Sequence, residues 1–160
     1  RGPETLDMLQ AMDTGHEGSL TTIHANSPRD GLTRLETMVL MSGINFPLQA
    51  IREQVASALD LIIHLTRLVD GSRRISKITE VLGMESEVIT LQDVFLARPV
   101  NERAVAADST AVLRPLECTG LHPHFRHKLT ANGVVLPEDF YEPEPALLAV
   151  GSNGTKRGWS

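Results

Sequence analysis

Apolar side chains recur at intervals of three and four residues early in the chain, crowd into near-continuous runs in the middle, and thin out toward the end. Leu6, Leu9 and Met12 share one face of a stretch that Pro3 opens and Gly15 closes. That spacing predicts a helix over 3–14, with Glu4 and Asp7 near its positive end. Leu32, Leu35 and Val39 repeat the pattern after Ser27-Pro28-Arg29-Asp30. There Ser27 can accept from an exposed amide, Pro28 suits the first helical position and Asp30 favours the N-terminal charge, while Gly43 ends the helix. Arg29, Arg34 and Glu36 project away from the apolar face and read as a solvated surface. Leu48, Ile51, Val55 and Leu59 mark a further helix from near Pro47, with Arg52 and Glu53 turned outward or toward a neighbouring subunit.

From Leu61 the period changes. Leu61–Leu68 is apolar apart from His64 and Thr66 and Arg67 near its end, and reads as a strand; Asp70-Gly71 is a strong hairpin turn, and Arg74–Met84 returns. Glu85-Ser86-Glu87 turns again into a third strand, Val88–Leu96. This meander is expected to cover one edge of a parallel core, because helix and strand alternate upstream of it. Past Arg98-Pro99 the periodicity is lost, so 100–115 reads as a linker of marginal structure. Phe125 and Leu129 suggest one short helix stopped by Gly133. Leu121, Phe125, Leu129, Val135, Leu136 and Phe140 give Leu116–Tyr141 apolar surface to dock on the meander, whereas the Gly- and Pro-rich residues 143–160 are predicted to be disordered.

One stretch points at chemistry. Thr14–Ser27 opens with a glycine-bracketed turn, Gly15-His16-Glu17-Gly18, and continues into the strand-formers Leu20-Thr21-Thr22-Ile23, predicting a strand over 19–24. His24 stands at the carboxyl end of that strand, where ligands bind in open α/β sheets. A lone imidazole there more often makes a structural hydrogen bond than it reacts, so the pattern alone suggests a polar site without identifying it. Zinc is disfavoured: His16-Glu17 lacks a histidine four residues later, and no cysteine is nearby.

Composition narrows the classes. With 160 residues, 41% hydrophobic and 22% charged, the chain fits one domain with a sizeable core. A net charge of −5 argues against a surface built to neutralise nucleic-acid phosphates. The single cysteine, Cys118, cannot close an internal disulfide and suits a reducing cytoplasm. No apolar run approaches the roughly 20 residues that span a bilayer. The chain opens on Arg rather than Met, so further chain is expected before it.

Arg1-Gly2-Pro3-Glu4-Thr5 and the run Thr14 to Pro28 resemble the secretion-superfamily ATPases, the hexameric RecA-like motors of type II and type IV secretion and of type IV pili. The Gly-His…Thr-Ile-His pair resembles their histidine box, and Arg1–Glu4 the residues after the catalytic glutamate of their Walker B box. Ala56–Leu65, the hairpin ending Leu91-Gln92-Asp93-Val94-Phe95, and Thr119–Pro123 through Pro137 are most similar to the Tad/Flp pilus branch, although His122 stands where that branch usually has a basic residue.

The resemblance covers about residues 1–142. It implies an α/β fold: a partial RecA-like P-loop NTPase domain over 1–98, with an antiparallel meander, and a C-terminal extension over 99–142 that carries the short helix; composition alone sets off the disordered tail over 143–160. It implies ATP and Mg2+ as cofactors, His24 near the γ-phosphate, His16 coupling that contact to neighbouring elements, Arg1 orienting the Walker B segment or touching phosphate, and Glu4 holding the adjacent helix. Its partners would be other subunits of a hexamer and an inner-membrane platform protein, with no nucleic acid. The motor would be cytoplasmic and peripheral at the inner face of the membrane. No G-x-x-x-x-G-K-[ST] loop occurs, and the catalytic glutamate would precede Arg1, so the chain alone is expected to be inactive. A non-catalytic oligomerisation or docking module of a secretion apparatus is the alternative.

Overall fold

The computed structural model describes residues 3–13, 18–43, 45–99 and 113–143. Three helices come first: α1 (Pro3–Asp13), α2 (Pro28–Leu40) and α3 (Leu48–Ala58). Helix α2 begins as its sequence dictates. Ser27 is extended, and its Oγ accepts the Asp30 amide at 3.1 Å. Met41 caps the other end by donating to the Thr37 carbonyl, and Gly43, at φ +78°, takes the left-handed conformation that leads the chain away.

Four antiparallel strands follow in the spatial order β1 (Leu61–Arg67), β2 (Arg73–Glu85), β3 (Val88–Leu96) and β4 (Glu117–Cys118). The first hairpin turns at Asp70-Gly71, where Asp70 Oδ1 accepts both the amide (2.9 Å) and the hydroxyl (2.6 Å) of Ser72. These bonds hold the Asp70 carboxyl below its usual range. Leu9, Val39 and Val55 are fully buried where the three helices meet, and Leu32, Leu35 and Ile51 join them against Val81 and Ile89 of the sheet. Burying each such side chain contributes roughly 1.5–3 kcal/mol.

Alternation along a strand sends successive side chains to opposite faces. Ile62 packs toward the helices, so Leu61, Ile63 and Leu65 point the other way, where they are 36%, 46% and 55% exposed. Strand β1 is also an edge: among the described strands only β2 pairs with it.

Residues 113–143 cover part of the far face of the sheet, around Glu80 and Phe95, and leave Leu61, Ile63 and Leu65 exposed. Leu113 bridges to Pro99, and β4 pairs with the end of β3. A short helix α4 (Arg126–Ala131) and a 3-10 turn (Glu138–Tyr141) complete this strap. It is held by few apolar side chains. Tyr141 is 3% exposed, with Phe95 and His122 ring centroids 6.1 and 5.3 Å away. Val135 stays 84% exposed and Leu121 48%, so the docking expected from apolar surface rests largely on polar clasps. Glu80, 2% exposed on β2, accepts the Phe125 amide at 3.0 Å; Lys128 reaches Asp60 at 2.8 Å; the Cys118 thiol donates to the Tyr141 carbonyl at 2.7 Å. Burial pushes the Tyr141 phenol up, with Cys118 and Glu80 adding to the shift against Arg126.

One sequence expectation fails, and a second has no counterpart among the described residues. Residues 19–25 form no strand, and Leu20 is 89% exposed. β-Branched residues favour a pleated surface only where a neighbouring strand supplies the ladder, and none of the described strands lies beside them. For the same reason the expected parallel core is not seen among the described residues; every strand pair there is antiparallel. The linker expected over 100–115 falls mostly, and the disordered tail over 143–160 almost wholly, outside the described residues.

Candidate functional site

The segment before α2 is extended although unpaired. Ile23 and Ala25 are half-buried and lean on α2 beside Gly31, where an added Cβ would lie 3.8 and 3.7 Å from them, while Thr22, His24 and Asn26 are exposed. This alternation turns the His24 imidazole outward. It opens onto a cleft of about 740 Å³ between residues 24–26 and the face of α2 opposite Leu32, Leu35 and Val39.

The cleft has a polar end and an apolar wall. His24, Asn26, Asp30 and Arg34 form the first; Ala25, Met38 and Met41 form the second. Thr33 and Thr37 also line it, with hydroxyls that donate back to the carbonyls of Arg29 (3.3 Å) and Thr33 (2.8 Å), which leaves their oxygens able to accept but not donate. Arg34 is exposed and, among the described residues, closes no ion pair, although Asp30 stands one turn before it.

The neighbouring charges on these helices are already engaged. Arg29 Nη1 donates to the Ile89 carbonyl at 2.9 Å. Arg52 meets Glu36 through Nε at 3.2 Å and Nη2 at 3.4 Å, and the Glu87 carbonyl through Nη1 at 2.8 Å. Arg29, Glu36 and Arg52 therefore clamp α2 and α3 to the β2–β3 hairpin rather than forming the solvated or subunit-facing surface that their spacing suggests. Elsewhere Asp93 accepts from Lys77 Nζ (2.8 Å) and the Thr79 hydroxyl (2.6 Å). Burial there works to raise the Asp93 carboxyl, but those two bonds outweigh it and the net shift is downward. Among the described residues no group of three or more His, Cys, Asp or Glu side chains is placed to hold a metal ion.

Of the residues singled out from sequence, His24 reaches the cleft. Glu4 lies exposed in the first turn of α1 and does not line it. Arg1 and His16 lie outside the described residues. Sequence reasoning missed Asn26, Asp30 and Arg34. The available signal was the stripe 30, 34, 37 and 41 on α2, which is as periodic as the apolar stripe but faces the other way.

Comparison of the sequence with known proteins gives this arrangement its class. The chain belongs to the family of type II/IV secretion system proteins, which matches residues 1–128. It is 35% identical over 106 residues to a Mycobacterium tuberculosis protein named for conjugal transfer, an alignment covering 66% of this chain and 30% of that protein. It is 34% identical over 83 residues to the conjugal transfer protein TrbB of Rhizobium radiobacter, covering 52% of this chain and 24% of that one. With the type IV secretion system protein VirB11 of Brucella abortus it shares 37% over 77 residues, covering 46% and 21%. The matched stretch is thus under a third of the length of these relatives.

Proposed function

We propose that the chain is part of the motor domain of an ATPase that powers type II/IV protein secretion or the assembly of Tad/Flp-type pili. In this reading residues 1–98 are the C-terminal half of a RecA-like P-loop domain, 99–142 an extension, and 143–160 a tail. The motor is a hexamer, cytoplasmic and peripheral at the inner face of the membrane. It passes subunit motion to an inner-membrane platform protein and does not act on nucleic acid.

The observation that carries the reading is the placement of His24, the second histidine of the expected box, at the polar end of an open cleft. Support comes also from two segments with an unpaired edge among the described residues: β1, which β2 pairs on one side and whose outer face is apolar, and residues 19–24, which no described strand pairs. Both have the character of strands that belong to a larger sheet.

The residues present fit part of a nucleotide. His24 and Arg34 are donors suited to phosphate oxygens. Mg2+ is not matched by the lining of the cleft, in which Asp30 is the only carboxylate among the described residues. When bound, ATP supplies the phosphoryl group that is transferred; the chain's own part is to meet its terminal oxygens with His24, while Arg1 orients the Walker B segment or touches phosphate, Glu4 holds the adjacent helix and His16 couples the contact to its neighbours.

The test is turnover in the full-length protein. His24→Ala is expected to lower ATP hydrolysis by roughly 10²-fold while weakening ATP binding far less, because a donor at the reacting phosphate matters most as charge develops. Turnover equal to wild type would remove His24 from the site. A full-length protein with no ATP turnover would favour the alternative, a non-catalytic docking module, toward which the lack of a glycine-rich phosphate loop in these 160 residues points.

A further inference from the structure

We infer that Arg34 is a phosphate-binding residue, and that with His24 it makes the cleft on α2 a two-point site for a phosphate group; this rests on the motor reading above for its biological ligand, though not for its chemistry. Three observations converge. Arg34 and His24 both line one open cleft of about 740 Å³. Arg29 and Arg52, the other arginines of α2 and α3, are spent on carbonyls and on Glu36, whereas Arg34 closes no ion pair among the described residues. An exposed guanidinium with Asp30 at i−4 would ordinarily fold down onto it. Here it does not, which leaves a planar pair of donors available to an incoming oxyanion.

The surroundings select further. Asp30, the one carboxylate among the described residues of the site, repels an anion that approaches the start of α2, so the oxyanion seats toward Arg34 rather than at the helix terminus. The chain as a whole carries a net charge of −5, so general attraction does not supply the binding; it has to come from these two groups. Two exposed donors without a phosphate loop predict an affinity in the millimolar range, about −4 kcal/mol being the scale for 1 mM.

The experiment titrates residues 1–160 with sodium phosphate at constant ionic strength and follows the His24 ring and Arg34 Nε–H signals by NMR. Both signals are expected to move with one common dissociation constant. Arg34→Gln, an exposed substitution that the core does not feel, is expected to weaken the His24 response at least tenfold, and His24→Gln to weaken the Arg34 response. Arg73→Gln, on the far hairpin, is the control and should leave both unchanged. Absence of any shift at His24 and Arg34, an unchanged affinity in Arg34→Gln, or an equal loss in Arg73→Gln would each overturn the inference. The phosphate titration stands apart from turnover: binding lost in Arg34→Gln together with normal hydrolysis in full-length His24→Ala would uphold the site and sink the motor role of His24.

Discussion

Glu80 offers the sharpest test of how the C-terminal strap is held. Its side chain is 3% exposed, Oε1 accepts the Phe125 amide at 3.0 Å, and Oε2 faces His124 Nδ1 at 3.5 Å. Glu80→Ala removes the acceptor and leaves the Phe125 N–H unpaired. A hydrogen bond to a charged group contributes about 1.5–3 kcal/mol. His124 is 75% exposed, so its share is discounted to near zero. Desolvation of the carboxylate works in the opposite direction, which places the net loss at the lower end, about 2 kcal/mol. Because that loss falls on the contact between strap and sheet, it should appear as local opening: about 30-fold faster hydrogen exchange at the Phe125 amide, with the Val39 and Val55 amides in the helical core unaffected. Glu80→Gln keeps the acceptor and should change the Phe125 rate by less than tenfold. An unchanged Phe125 rate in Glu80→Ala would refute the reasoning and would mean that the strap's other contacts, Tyr141, β4 and Lys128–Asp60 among them, hold it without Glu80.

Arg52→Ala should lower the urea midpoint, by about 2 kcal/mol at constant m, since it strands the half-buried Glu36 carboxylate and frees the Glu87 carbonyl; an unchanged midpoint would show the clamp to be idle. Ser27→Ala should cost about 1 kcal/mol through loss of the bond to the Asp30 amide, and the same denaturation series reads it. Asp93 makes stability depend on pH. Its carboxyl is held below the ordinary value, so its contribution is present above the unfolded-state pKa of about 3.9 and is lost as pH falls through the lower folded-state value. Asp93→Asn should therefore flatten the acid limb of the stability curve, and an acid limb as steep as that of wild type would rule the group out.

Local signals were legible in the sequence. The Ser27 cap with Pro28, the Asp70-Gly71 hairpin, Gly43 and Gly133 as helix stops, and the limits of β3 all depend on residues a few positions apart, and each was placed within a residue or two. The three helical stripes were equally readable, because Leu9, Leu32, Leu35, Val39, Ile51 and Val55 are periodic whatever they pack against.

What tertiary structure decided are the features whose partners are far along the chain. Arg29 and Arg52 looked like solvated charges until the β2–β3 hairpin brought the Ile89 and Glu87 carbonyls to them, 60 and 35 residues away. Glu80 has nothing in its own strand to mark it as buried, since Phe125, its partner, lies 45 residues on. Strand β4 is two residues long and exists only because β3 offers an open edge. Residues 19–24 show the converse: β-propensity is local, but a ladder needs a second strand, and the described chain supplies none. Arg34 is the same lesson at the site. Its place on α2 follows from the helical repeat, but only the extended course of residues 23–26 across that helix turns an exposed arginine into one wall of a cleft that His24 shares.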